Sequence, residues 1–340
     1  MKRKITIQPK LKIFDIFKSI DNGTYKCSKY IYKSGRFSLY KIIKIIQSKK
    51  NIKKIYIPNF ICREVLEGIS AFKLDIIFYN VNRDLYPDFS ALRNHMCNNS
   101  LFLVVNYFGI RSNWDEINKL KFEYNLTVIE DNSHSLTIES QYELGVNGDF
   151  SFNSLRKIIP VLSGSEILVN NSDYSINYNY KKRFIDKNEF IYYFRRYLSI
   201  FSFLRNKSSK NHSKEIVKSE YADMFSYNMT QSNKYPLDTL QQKRMSNFKS
   251  WNMYLKNKDI AFFDIDLSSL SKFVPYAFPC YVEDEYSVDK WMKWGKIHNI
   301  SIIKWPKFPS NIDLDSLNPC FKHVLLFPVN HEFDISEILN

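Results

Sequence analysis

Residues 100–134 read SLFLVVNYFGIRSNWDEINKLKFEYNLTVIEDNSH, and this stretch decides the fold. Its first seven residues are a nearly continuous apolar run, suited to a strand buried on both faces and stopped near Gly109. Residues 114–124 read as a helix, and LTVI (126–129) as a second strand ending at Glu130-Asp131. Strand, helix and strand in this order make a βαβ unit with parallel strands. Ligands bind such sheets beyond the carboxyl ends of the strands. Asn106, Asp131 and His134 follow those ends, so they are the residues to read for function.

The same alternation extends towards the N-terminus. FSLYKIIKII (37–46) has helical spacing and is preceded by Ser34-Gly35 as a start signal. A short strand is expected at 54–57, a helix at 65–72, a strand at 74–79 and a helix at 89–97. Together these predict an α/β fold with a mainly parallel sheet buried on both faces. Residues 171–220 are polar and irregular apart from FIYYFRRYLSIFSFLR (190–205). That stretch suits an interfacial membrane helix or a helix packed on its own or a partner subunit; packing in or near a subunit contact is the expectation. After Pro236 a long helix is expected over 237–256. The segment 273–285, a helix at 288–297 and a strand at 300–304 then suggest a small α+β domain. The division is therefore a large domain at 1–235 and a small one at 236–340.

Composition narrows the classes. The net charge of +14 suits an anionic partner, but the lysines are scattered in short runs such as Lys49-Lys50, and no RRM, KH or zinc-finger signature occurs. A solvated basic surface is expected rather than nucleic-acid binding. The five cysteines include no C-x-x-C pair, so neither a zinc site nor a disulfide framework is indicated, and a reducing cytoplasm fits. The N-terminus lacks the apolar core of a signal peptide, and no apolar run reaches the length of a spanning helix. No membrane insertion is expected.

Three segments carry candidate chemistry. In LTVIEDNSH (126–134), Asp131 directly follows an apolar run and is desolvated unless a cation meets it. A protonated ring nitrogen is one such partner, and a local cap for the following loop is an equal reading. In GDFSFNSLRKIIPVLSGSEILV (148–169), Lys157 sits in a tight, apolar loop; desolvation there would lower its pKa and make the amine a nucleophile towards an aldehyde. Taken alone, Arg156-Lys157 reads as a surface pair in so basic a chain. Ser34-Gly35-Arg36-Phe37 offers free N–H groups at a helix start, which suit a phosphate.

In order along the chain, SGRFSLY, IPNFICREV, NVNRDLYPDFSAL, VVNYFG, VIEDNSHS, GDFSFNSLRK, LDTLQQKRMSNF, IIKWP and LLFPVNHEFD resemble motifs of the DegT/DnrJ/StrS family of pyridoxal-phosphate (PLP)-dependent sugar aminotransferases, in the subgroup with an S-L-R-K lysine motif. The resemblance runs from about residue 30 to the C-terminus. It implies the aspartate aminotransferase-like fold, PLP-dependent transferase fold type I, and pyridoxal 5'-phosphate as cofactor. Lys157 matches the Schiff-base lysine, Asp131 the partner of the pyridine nitrogen and His134 the position packed near the ring. Gly35, Arg36 and Phe37, with the hydroxyl of Ser154, match the phosphate cradle. Ser151 is an alternative to Ser154, and Arg156 an alternative occupant of the lysine's position.

The chain also departs from the pattern. Cys62 stands where an aromatic often stacks on the ring, Asn106 replaces a histidine, and Gly164-Ser165 replaces Gly-Gly. The resemblance implies transfer of an amino group from an amino acid, with glutamate expected, to a nucleotide-linked keto-sugar. The setting would be amino-sugar biosynthesis for surface polysaccharide, carried out by a homodimer. Related sugar dehydratases replace the lysine, which is present here. A non-catalytic relative with a regulatory or scaffold role is the alternative.

Overall fold

A computed structural model describes residues 4–10, 30–136, 144–161, 163–177, 221–222, 226–227, 237–265 and 274–339. The stretch 190–205 and the expected boundary at 235–236 lie outside these residues. Seven strands form one sheet: β1 (Ile31–Tyr32), β2 (Lys54–Pro58), β3 (Asp75–Tyr79), β4 (Leu101–Val105), β5 (Thr127–Asn132), β6 (Phe150–Asn153) and β7 (Ser165–Val169). Their order is β1-β7-β6-β5-β4-β2-β3. Strands β3, β2, β4, β5 and β6 run parallel. Strand β7 is antiparallel to both of its neighbours. A parallel return needs a crossover of a dozen or more residues, and the link from β6 to β7 is shorter, so the chain comes straight back.

Every residue of β4 and β5 is buried, which requires cover on both faces of the sheet. Helix α1 (Gly35–Gln47) turns Phe37, Leu39, Ile42, Ile43 and Ile46 inward. Helix α2 (Glu64–Ile69) crosses its start so closely that a Cβ on Gly68 would stand 2.7 Å from the Arg36 carbonyl oxygen. Helix α3 (Phe89–Arg93) is shorter than the expected 89–97. There the Tyr56 hydroxyl donates to the His95 carbonyl (2.7 Å) and accepts the Cys97 N–H (2.9 Å), a donor that a helix continuing to 97 would pair with Arg93. Helix α4 (Trp114–Glu123) is capped by the Asn113 side chain, as the βαβ reading requires.

A second, antiparallel sheet follows, with β8 (Ala277–Tyr281), β10 (Val324–Pro328) and β9 (Ile303–Lys304) in that order. Strand β9 covers only the end of the expected 300–304, because Ile300 instead bridges Ile5 and Ser301 donates to the Ile5 carbonyl. The one-turn helix α5 (Leu155–Ile158) lies between β6 and β7, and α6 (Leu237–Leu255) and α7 (Glu285–Ile297) accompany the small sheet. An aromatic seam joins the two sheets. Phe60 stacks on Phe321 with centroids 4.1 Å apart and meets Trp305 edge-on at 4.8 Å. Trp305 in turn contacts Phe108 and His134. Such rings contribute about 0.5–1.5 kcal/mol per pair beyond the area they bury.

Candidate active site

The parallel strands β2, β4, β5 and β6 end along one edge of the sheet, and the candidate residues leave from those ends. Period-two alternation splits β5 there. Glu130 and Asn132 point to one face and Asp131 to the other.

On the first face, Asn106 donates to Glu130 Oε1 (2.8 Å) and to Asn132 Oδ1 (2.7 Å), while its own oxygen accepts the Ser112 N–H (2.9 Å). Glu130 also accepts from the backbone N–H groups of Gly145 (2.6 Å), Asn147 and Gly148 (3.4 Å each). Ser151 is on this face too, donating to the Gly145 carbonyl at 2.9 Å. Asn106, a residue picked out from its place after a strand, is therefore fully engaged in holding the loop around Gly145.

On the second face, Asp131 is 5% exposed. One oxygen accepts the Ser133 N–H at 2.8 Å, a local cap. Burial pushes its carboxyl up, opposed by the Ser133 hydrogen bonds and by the positive charge of Lys157. The local cap expected of Asp131 is present, and the positive charge near its buried carboxyl is that of Lys157. Lys157 lies on α5 and is half-buried. Its amine is held below the ordinary lysine range by burial first, and the Arg156 charge adds to this; Cys62, Asp131 and Glu64 oppose it. Burial pushes the Cys62 thiol up to about 12, so near neutral pH it is an uncharged neighbour and the carboxylates supply the opposing field. Arg156 is half-buried beside the lysine, and its guanidinium cannot act as an amine nucleophile.

The start of α1 lies against this face. A Cβ built on Gly35 would come 3.2 Å from the Phe152 ring and 3.4 Å from Ser133 Oγ, so glycine lets the helix start approach the loop after Asp131. The Phe37 N–H already donates to the Ser34 carbonyl at 2.9 Å, which leaves the first two N–H groups of the helix, on Gly35 and Arg36. The Arg36 side chain pairs with Glu67. Ser154 is buried at the start of α5 and makes no side-chain cap bond there, unlike Ser151.

His134 is 4% exposed, and its ring stacks with both Phe108 (5.1 Å, 12°) and Tyr276 (5.4 Å, 17°). Burial, and then the Lys157 charge, hold it well below the usual histidine pKa, so it is neutral. Phe108 reaches this position through a left-handed backbone (φ 57°), followed by Gly109 at φ 96°. That conformation costs a non-glycine residue about 1–2 kcal/mol and turns the chain sharply after β4. Sequence reasoning missed Tyr276, whose ring also lies 5.3 Å from Lys157 Nζ. It sits more than a hundred residues further along the chain, and nothing in its local sequence sets it apart from the other tyrosines.

No protein-family model matches the chain, and neither does any curated protein. Solved structures do match over nearly the whole chain. Helicobacter pylori PseC, an aminotransferase of pseudoaminic acid biosynthesis, is 12% identical with a TM-score of 0.67, covering 99% of this chain and 96% of that one. NtdA from Bacillus subtilis, with bound PMP, is 16% identical with a TM-score of 0.63, over 91% and 72% of the two chains. The GDP-4-keto-6-deoxy-D-mannose-3-dehydratase of E. coli, with bound hydrated PLP, is 14% identical with a TM-score of 0.62, over 91% and 85%. The mainly parallel sheet and these likenesses agree: the chain has the α/β fold of these solved structures, the fold that the sequence resemblance implies.

Proposed function

We propose that the chain is a PLP-dependent aminotransferase that carries an amino group from an amino acid, glutamate in our reading, to a nucleotide-linked keto-sugar. The observation that carries the proposal is Lys157, a half-buried amine depressed below its ordinary pKa on the same face as the buried carboxyl of Asp131. PLP requires an amine for its aldehyde, an anion for its ring nitrogen and donors for its phosphate, and the residues present fit these needs. Lys157 Nζ would hold the aldehyde carbon, Asp131 the ring nitrogen, and the Gly35 and Arg36 N–H groups with the Ser154 hydroxyl the phosphate. The absence of a Cβ at Gly35 lets the helix start pack against Phe152 and Ser133, which sets its N–H groups close to the loop after Asp131. Cys62, half-buried beside Lys157, would line the ring's surroundings.

Bound there, PLP supplies the electron sink that lets a hydrogen next to nitrogen leave as a proton. Lys157 would take that proton at Nζ and return it to a neighbouring carbon; burial, which lowers its pKa, favours the unprotonated amine that this needs. Asp131 would keep the ring nitrogen protonated, and the aromatic wall formed by Phe108, His134 and Trp305 would exclude water. A lysine at this place supports transamination over the sugar dehydration of relatives that replace it.

The product would enter amino-sugar biosynthesis for surface polysaccharide. In this reading the protein works as a homodimer of two domains divided near residue 235. The four described cysteines are free thiols, which suits the cytoplasm. No helix among the described residues is long and apolar enough to cross a membrane. The test is to purify the protein with PLP, look for the yellow absorbance of a lysine-bound cofactor, and follow its conversion with glutamate and then with a panel of nucleotide-linked keto-sugars. A colourless protein that ignores added PLP overturns the proposal in favour of a non-catalytic scaffold.

A further inference from the structure

We infer that Tyr276, fixed in place by Arg244, is a positioning residue for the Lys157 amine. The inference rests on the reading of Lys157 as the reacting lysine, but its evidence is geometric. Nζ of Lys157 lies 5.3 Å from the centroid of the Tyr276 ring, and that ring stacks on His134 at 17°. The Tyr276 N–H donates to the His134 carbonyl at 3.2 Å, so backbone and ring both tie this residue to the loop after Asp131. An ammonium over an aromatic face is stabilised by the ring's quadrupole. The ring therefore favours one place for Nζ, beside the face that also holds Asp131.

Arg244, on α6, is 0% exposed. Its guanidinium donates to the carbonyls of Pro275 (2.9 Å) and Tyr276 (3.4 Å) through one nitrogen, and to the carbonyl of Ile158 (3.0 Å) through another. Ile158 is the residue next to Lys157. One planar, five-donor group thus joins the turn that carries the lysine to the segment that carries the ring, a geometry a lysine could not reproduce. Burial pulls this guanidinium down to about 9, with Tyr276 and Glu332 opposing, so at neutral pH it remains the charged donor the three carbonyls need. The groups facing the Lys157 amine are Cys62 after β2, Glu64 at the start of α2, Asp131 on β5, His134 after it, Arg156 on α5, and Tyr276.

The experiment reads Lys157 without any cofactor. The full-length chain, stripped of bound carbonyl compounds, is reductively methylated with 13C-formaldehyde. The Lys157 resonance is assigned by its loss in Lys157→Ala and titrated with pH. Tyr276→Leu keeps the apolar bulk but removes the quadrupole, and should lower the apparent pKa by roughly half to one pH unit. Tyr276→Phe should leave it in place. Arg244→Lys keeps the charge, loses the fork, and should lower the pKa as Tyr276→Leu does, with the double variant no lower than either single one. An unshifted resonance in Tyr276→Leu, or additive shifts in the double variant, would overturn the inference. If Arg244→Lys does not fold, the comparison of Tyr276→Leu with Tyr276→Phe still decides. Because the readout needs no PLP, a failure here is distinct from a failure to bind cofactor.

Discussion

Strand β5 presents two buried carboxyls one residue apart, and their surroundings differ. Glu130 is enclosed by donors: the amide of Asn106 and the backbone N–H groups of Gly145, Asn147 and Gly148. Asp131 has a single local cap, and beyond it lies the charge of Lys157. Burial raises the pKa of both, so a perturbed pKa alone does not separate structure from chemistry. What separates them is whether the carboxyl's hydrogen-bonding capacity is already filled. Glu130 holds a loop in place. Asp131 retains capacity for a partner.

The contrast can be broken most severely at Lys157. Lys157→Ala should abolish turnover, a loss of more than about 10^4-fold, and should leave no borohydride-reducible adduct with PLP while the circular dichroism is unchanged. An adduct that survives would mean that another amine reacts. Next in size, Asp131→Asn should keep PLP bound but lose activity on the order of a hundredfold, since an amide can hydrogen-bond the ring nitrogen without stabilising its protonated form. Near-normal turnover would reduce Asp131 to its local cap.

On the other face the expected effect is on stability. Glu130→Gln points an NH2 group at donors and should cost about 1–3 kcal/mol in urea unfolding, with the absorbance of bound PLP unchanged. A change in that absorbance without a loss of stability would erase the distinction between the two faces. The smallest effect concerns pH. The Lys157 amine is lowered in the fold from its ordinary 10.5, so between the folded value and 10.5 the unfolded chain binds more protons and stability rises with pH. Below that window the burial penalty is fully present. Lys157→Met should therefore be more stable than the parent at neutral pH, and the gain should shrink as pH climbs to 10.5. A pH-independent gain would show that packing, and not the buried charge, is responsible.

Local pattern made most of the large sheet legible. Helix α1 and strands β2, β3 and β4 lie within a residue or two of their expected spans, because continuous apolar runs and helical spacing are properties of neighbouring residues. Strand β5 runs on through Asp131 to Asn132, past the expected end at Ile129, since hydrogen bonding to β6 carries polar residues that pattern alone excludes. The early end of α3 depends on Tyr56, some forty residues away.

The same division runs through the site. By itself the sequence placed Asp131 after a buried strand and Lys157 in a tight apolar turn, because strand ends and loop length are encoded locally. Only the tertiary structure turned Asn106 and Ser151 to the Glu130 face, stacked His134 with Phe108 and Tyr276, and brought Tyr276 and Arg244 to Lys157. Arginine is seldom fully buried, so no local signal marks Arg244 as internal. Its three carbonyl partners come together only when the two sheets pack, and long-range contact, not residue type, decides what surrounds the amine.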